Sequence, residues 1–265
     1  MANELSFSLM AILVISPTVI MSHKVGPYPS PVGRSDHPRR MIVDALLVWG
    51  IYMVDILMFL TVFSQVGGMM TELSPVVNLA IFQDAITFVP VLLLPILYVR
   101  HRDKWTTVDL GLTGKIAGRQ TWVLGIAFGV FWSLLAAPLF SPLSPANPSN
   151  AAFLILKLYS PAFLEEVLAR GIVQGKMERA LGGHVKPILM TGVLFMLWHV
   201  PKFLLGGTGN LVSMNALVAL LDLAGVYLGG GILLGILYRK TRSLLPGIIV
   251  HYLYDFGPSI FSWLV

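Results

Sequence analysis

The chain has 265 residues, of which 56% are hydrophobic and 12% charged; its formal net charge is +5 and it has no cysteine. Average soluble domains carry about 25% charge, so this composition describes a chain that lives in a lipid bilayer and leaves no room for a separate soluble domain. The missing thiol excludes disulfides, cysteine nucleophiles and Cys-ligated metals, and no nucleic-acid partner is expected, because the basic residues have a topological explanation.

Eight apolar segments of spanning length can be drawn, at roughly 5–22, 41–63, 74–99, 121–142, 151–172, 186–205, 211–238 and 243–264. A bilayer core of about 30 Å needs about 20 helical residues. Backbone groups in lipid must bond within their own segment and barrel-type alternation is absent, so these segments are expected to be helices. The first follows Met1–Glu4 without a basic flank and reads as a retained span rather than a leader; it is short and contains Pro17. The second carries Asp44 and Asp55, eleven apart and therefore on nearly one stripe. The third holds Asp84, Pro90 and Pro95. The fifth holds Lys157, Glu165, Glu166 and Arg170, and the sixth holds His199 and Pro201. The seventh carries Asp222 and the close-packing spacings Gly225-x-x-x-Gly229 and Gly231-x-x-x-Gly235. The eighth holds His251 and Asp255.

Charge tests this count. Fifteen of the eighteen Lys and Arg residues fall in connections 1/2, 3/4, 5/6 and 7/8, among them Lys24, Arg34, Arg100, Lys176, Arg239 and Lys240. Connections 2/3, 4/5 and 6/7 hold none. Positive-inside insertion predicts this alternation for eight spans with both termini on the non-cytoplasmic side. The expected architecture is an all-α, polytopic membrane bundle, one domain over 1–265, with its chemistry in 151–265.

Ionisable side chains at mid-membrane depth cost about 2.5–3.5 kcal/mol each on insertion scales, so those in the fifth, sixth and eighth segments call for a shared cavity. Glu166 and Arg170 are four apart and can pair on one helical face. Glu165 is turned about 100° away and is left for other work, such as general-base catalysis. His199 lies in Phe195-x-x-x-His199. His251 and Asp255 share a face, so the carboxylate can orient the imidazole. Each group read singly also suits a helix–helix clamp or a buried ion network. There is no H-E-x-x-H zinc helix, no G-x-S-x-G elbow, no Walker loop, and no G-x-G-D partner for Tyr254-Asp255.

The order Glu-Glu-x-x-x-Arg, Phe-x-x-x-His, His-x-x-x-Asp on successive apolar helices resembles the CPBP family of membrane proteases, which comprises type II CAAX prenyl endopeptidases and bacteriocin-processing or Abi-like proteins. The resemblance covers about 160–256. It implies peptide-bond hydrolysis of membrane-associated proteins or peptides by a glutamate-activated water. Glu165 and His199 would activate that water, His251 and Asp255 would stabilise the oxyanion, and Glu166 and Arg170 would brace the site. Many members have asparagine where Asp255 stands. The implied reaction needs no cofactor; the alternative is zinc on Glu165, His199 and His251. A non-catalytic scaffold or chaperone and a proton-coupled transporter are the competing readings. The expected location is a prokaryotic plasma membrane.

One tension remains at this level. If 151–172 is a single helix, Glu165 and His199 stand at depths that differ by about 12 Å.

Overall fold

The computed structural model describes residues 2–29, 33–66, 88–114, 118–139, 148–205 and 216–263. Asp84, most of the third expected segment, and connections 67–73, 141–147 and 206–210 lie outside the described residues. Among those described, all regular structure is helical, and the protein is a helical membrane bundle.

Helix α1 is Ala2–Lys24, with Pro17 inside it, and α2 is Pro38–Val66. Helix α3 covers 88–102: a π-type turn, Phe88–Leu93, runs into Leu94–Arg102. Pro95 explains the wide turn, since it has no N–H to give the carbonyl four residues back. Helix α4 is Arg119–Ala136, closed by a 3₁₀ turn, and α5 is Pro148–Lys157. Ser160 is extended (φ −130°, ψ 120°) and breaks the chain before Pro161. Helix α6 then runs over 161–181, with a π-type stretch at Val167–Gln174. Gly182 (φ +68°) and Gly183 (φ +69°) turn the chain into α7, Val185–Leu205. Helix α8 covers 216–241, again with a π-type stretch, Tyr227–Leu233, and α9 is Leu245–Phe261.

The break and the turn resolve the depth mismatch. The fifth expected segment is not one helix, and its inner end is at Leu181 rather than 172. Glu165 therefore stands sixteen residues from that turn, about 24 Å at the α-helical rise, and His199 fourteen residues from Val185, about 21 Å. The two side chains belong to one layer.

Three helical stretches are long and apolar enough to cross a bilayer: Pro38–Met58, Arg119–Leu139 and Leu217–Thr241. Ser8–Lys24 and Val185–Pro201 are shorter apolar helices. Among the described residues, then, three of the eight expected spans meet the length criterion. Their outer faces are apolar, with Val43, Leu47, Val54 and Met58 exposed on α2 and Val123, Phe131 and Leu134 on α4.

The four basic connections gather at one end of the bundle, as alternation of charge requires. Lys240 Nζ donates to the carbonyls of His23, Val25 and Gly26 at 2.7–2.9 Å, capping the end of α1. The Ser35 amide donates to Arg179 O at 2.9 Å, Arg179 pairs with Asp109 at 3.0 Å, and Ser243 Oγ donates to Thr113 O at 2.8 Å. The expectation that these cations are loop charges is corrected at three positions. Lys176, Arg239 and Lys240 lie within helices and are fully buried. Each is retained by partners: Lys176 by Asp44 and Asp103, Arg239 by Glu178 and Pro29 O, Lys240 by the α1 carbonyls.

Close approaches position α8. A Cβ on Gly231 would stand 2.8 Å from Gly192 Cα, backbone against backbone, so neither helix can yield by rotating a side chain. Gly231→Ala is expected to destabilise the protein by about 1–3 kcal/mol, read as a lower unfolding temperature in detergent. Gly225→Ala, where a Cβ meets nothing within 4 Å, should leave that temperature nearly unchanged.

Candidate active site

Helix α6 brings two adjacent carboxylates into the bundle four and five residues after Pro161. Both Glu165 and Glu166 are buried. Glu166 points toward α9. Its Oε1 lies 3.0 Å from His251 Nδ1, and its Oε2 lies 3.5 Å from Arg170 Nε on its own helix. The pairing expected from i,i+4 spacing is present even though the π-type stretch begins between the two residues. Gly247 makes room for this carboxylate in the first turn of α9, where a Cβ would stand 2.9 Å from Glu166 Oε2.

Glu165 points elsewhere, as its rotation requires. Its Oε1 accepts a 2.7 Å hydrogen bond from Tyr52 Oη on α2, and its Oε2 lies 3.9 Å from His251 Nε2. That same ring nitrogen lies 3.4 Å from Asp255 Oδ2, one turn along α9. His251 is therefore set between carboxylates on both sides of its ring. Carboxylates only accept, so either ring N–H has an acceptor waiting.

Arg170 is fully buried and spreads over the Phe195 ring, 4.4 Å from its centroid. Phe195 is the hub of the site. Its centroid is 5.0 Å from that of His199 and 6.1 Å from that of His251, which it meets edge-on. Cation–π contact and the Glu166 pair together hold a guanidinium that is fully buried. His199 Nδ1 lies 3.0 Å from Phe195 O. A carbonyl can only accept, so Nδ1 carries the proton and Nε2 is the acceptor of the neutral ring.

A cavity of about 50 Å³ opens beside these groups, lined by Phe195, His199, His251, Tyr254 and Asp255 and by the glycine stretch of α8. That is room for a few waters. The side chain of Asp255 is 30% exposed there, whereas Glu165 lies one layer behind His251. Three acids face one guanidinium and one imidazole across this layer. Gly230 admits the Phe195 ring, which a Cβ at 230 would strike.

The structure thus brings Glu165, Glu166, Arg170, His251 and Asp255 into direct contact and joins His199 to them through Phe195. Among the described residues no three His, Asp or Glu side chains are placed to hold one ion, and Glu165 and Glu166 are spent on Tyr52, Arg170 and the His251 ring.

Sequence reading missed Tyr52, and with it the role of α2. Lys157 stands on α5, across the break from the site, with its ammonium 5.6 Å from the Phe153 ring.

With this geometry in hand, residues 147–257 match the family model described as Type II CAAX prenyl endopeptidase Rce1-like. This part of the chain is similar to the type II CAAX prenyl endopeptidases. No curated protein and no solved structure matches the chain. The Rce1-like region spans α5 to most of α9 and contains Glu165, Glu166, Arg170, His199, His251 and Asp255. It does not contain α2. The family that this model describes is one of peptidases.

Proposed function

We propose that the protein is a multi-pass intramembrane endopeptidase that hydrolyses peptide bonds of membrane-associated proteins or peptides with a water activated by Glu165. The observation that carries this reading is the approach of Glu165 Oε2 and Asp255 Oδ2 to His251 Nε2 inside an Rce1-like region, with His251 and Asp255 lining a water-sized cavity.

In this reading a water in the cavity is held near Glu165 and the acceptor nitrogen of His199. Its oxygen attacks the peptide carbonyl carbon as its proton passes to Glu165. The carbonyl oxygen becomes an oxyanion and takes a hydrogen bond from His251, whose ring is oriented by Glu166 and Asp255. The C–N bond then breaks, and the proton held by Glu165 goes to the departing amine. Asp255 is best placed as an orienting group, since an ionised carboxylate aimed at an oxyanion would repel it. Glu166 and Arg170 fix the position of the imidazole.

The reaction is proposed to need no metal, because the residues that would have to bind one are engaged with each other. Activity should therefore survive o-phenanthroline and EDTA within about twofold; loss of activity with chelator, restored by zinc, would overturn this part. The substrate is proposed to reach the site from the bilayer. The membrane is proposed to be a prokaryotic plasma membrane.

The test of the function is a comparison of membrane fractions carrying the wild-type protein or Glu165→Gln, with peptide termini identified by mass spectrometry. New termini present only with the wild type are expected. Identical terminus sets would remove the protease reading and favour a scaffold that keeps these residues for packing.

A further inference from the structure

Helix α2 lies outside the Rce1-like region, yet it contacts the one carboxylate on which the proposed chemistry turns. Tyr52 Oη donates to Glu165 Oε1 at 2.7 Å in a buried setting. Nothing in the family match assigns this residue. We propose that Tyr52 is a positioning residue for Glu165: its hydroxyl holds one carboxylate oxygen so that the other is kept toward His251 Nε2, whose ring lines the cavity. This inference rests on the reading of Glu165 as the base.

The tyrosine is itself held tightly. Its ring stands edge-on to Trp198, with centroids 4.7 Å apart and planes at 83°. Trp198 Nε1 donates to Trp49 O at 3.2 Å, and Trp49 Nε1 donates back to Leu194 O at 2.8 Å. Two reciprocal indole bonds therefore clasp α2 to α7 within one turn of Tyr52. With the ring fixed by Trp198 and the backbone fixed by the clasp, the hydroxyl has little freedom to move.

A second rung on the same stripe supports a registered pairing. Asp44, two turns before Tyr52 on α2, pairs with buried Lys176 on α6 at 3.1 Å. The two helices run in opposite directions, and Asp44·Lys176 and Tyr52·Glu165 are successive polar rungs between them. The inner rung sets the register; the outer rung spends that register on the active carboxylate. A glutamate has three side-chain torsions, and a hydrogen bond to one of its oxygens in a buried site restrains them. Misplacing a reacting group by about 1 Å can cost about 10²-fold in rate.

Tyr52→Phe keeps the ring on Trp198 and removes only the donor. The experiment uses the full chain in lipid vesicles with a quenched, fluorescent, farnesylated CAAX peptide. It measures kcat and KM for the wild type, Tyr52→Phe and Glu165→Gln, and the unfolding temperature of each. The expected result is a fall in kcat of about 10- to 100-fold for Tyr52→Phe, with KM within twofold and the unfolding temperature within a few degrees of wild type. A kcat within twofold of wild type would overturn the positioning role and leave the protease reading standing. A loss that appears in KM or in unfolding temperature instead would also overturn it, since a packing residue would act that way. Full activity of Glu165→Gln would sink the base assignment, and the inference with it.

Discussion

Glu165→Gln is expected to cut kcat for peptide hydrolysis by about 10²- to 10⁴-fold, the range that general-base catalysis contributes, with the fold intact. Glutamine keeps the volume and still offers a carbonyl oxygen to Tyr52 Oη, so the buried hydrogen bond at 2.7 Å survives. It cannot take a proton from water. Asp255→Asn provides the contrast. Asp255 lines the cavity and lies 3.4 Å from His251 Nε2, so it is the other carboxylate that could serve as a base. If it only orients the imidazole, the asparagine variant should lose less than about tenfold, because its amide can still bond to the ring or donate to the oxyanion. The purified variants in lipid vesicles decide between them. A large loss in Asp255→Asn together with a small one in Glu165→Gln would transfer the base to α9.

Much of this layer was legible because helical spacing is a local property. Glu166 and Arg170 pair, and His251 and Asp255 share a face, for the same i,i+4 reason, and both relations survive packing. The separate orientations of Glu165 and Glu166 follow from the 100° step between neighbours. Tyr52 was not legible in this way. It lies 113 residues from Glu165, and a tyrosine in an apolar run reads as packing. A signal was nonetheless present. The stripe that joins Asp44 to Asp55 passes through Val48 and Tyr52, so one face of an apolar helix carried two acids and a phenol. Once Asp44 is found on Lys176, the same face must deliver Tyr52 to α6. The depth mismatch between Glu165 and His199 was a second signal. It pointed to a wrong segment boundary, and the break at Ser160 with the extension to Leu181 is its cause.

The cations at the ends of apolar runs misled for a physical reason. Positive-inside bias and buried ion pairs produce the same pattern in a sequence: a Lys or Arg just past a hydrophobic stretch. Only the acids nearby distinguish them. Asp44, Asp103, Asp109 and Glu178 all lie toward the same end of the bundle as the basic connections, and each is paired there. That end is therefore a cross-linked polar layer, and it ties α2, α3 and α6 together on the side from which Tyr52 reaches Glu165.

Lys176→Met should expose that dependence as a loss of stability of about 3–5 kcal/mol, the cost of breaking a buried ion pair by removing one partner. Lys176 is fully buried, 3.1 Å from Asp44 Oδ2 and in contact with Asp103. When the ammonium is gone, Asp103 keeps Arg40 at 2.8 Å, but among the described residues Asp44 keeps only the Tyr98 hydroxyl at 2.9 Å. The orphaned charge is thus Asp44. In an unfolding scan in detergent the single variant should melt on the order of 10 °C lower. Adding Asp44→Asn removes the orphan and should return most of the loss, because a neutral amide can still accept from Tyr98 and methionine fills the volume of the lysine stem. If the double variant melts as low as the single one, the penalty comes from lost packing rather than from an uncompensated carboxylate. The inner rung between α2 and α6 would then be a matter of shape, and the charge pairing would have no part in setting the register of Tyr52 and Glu165.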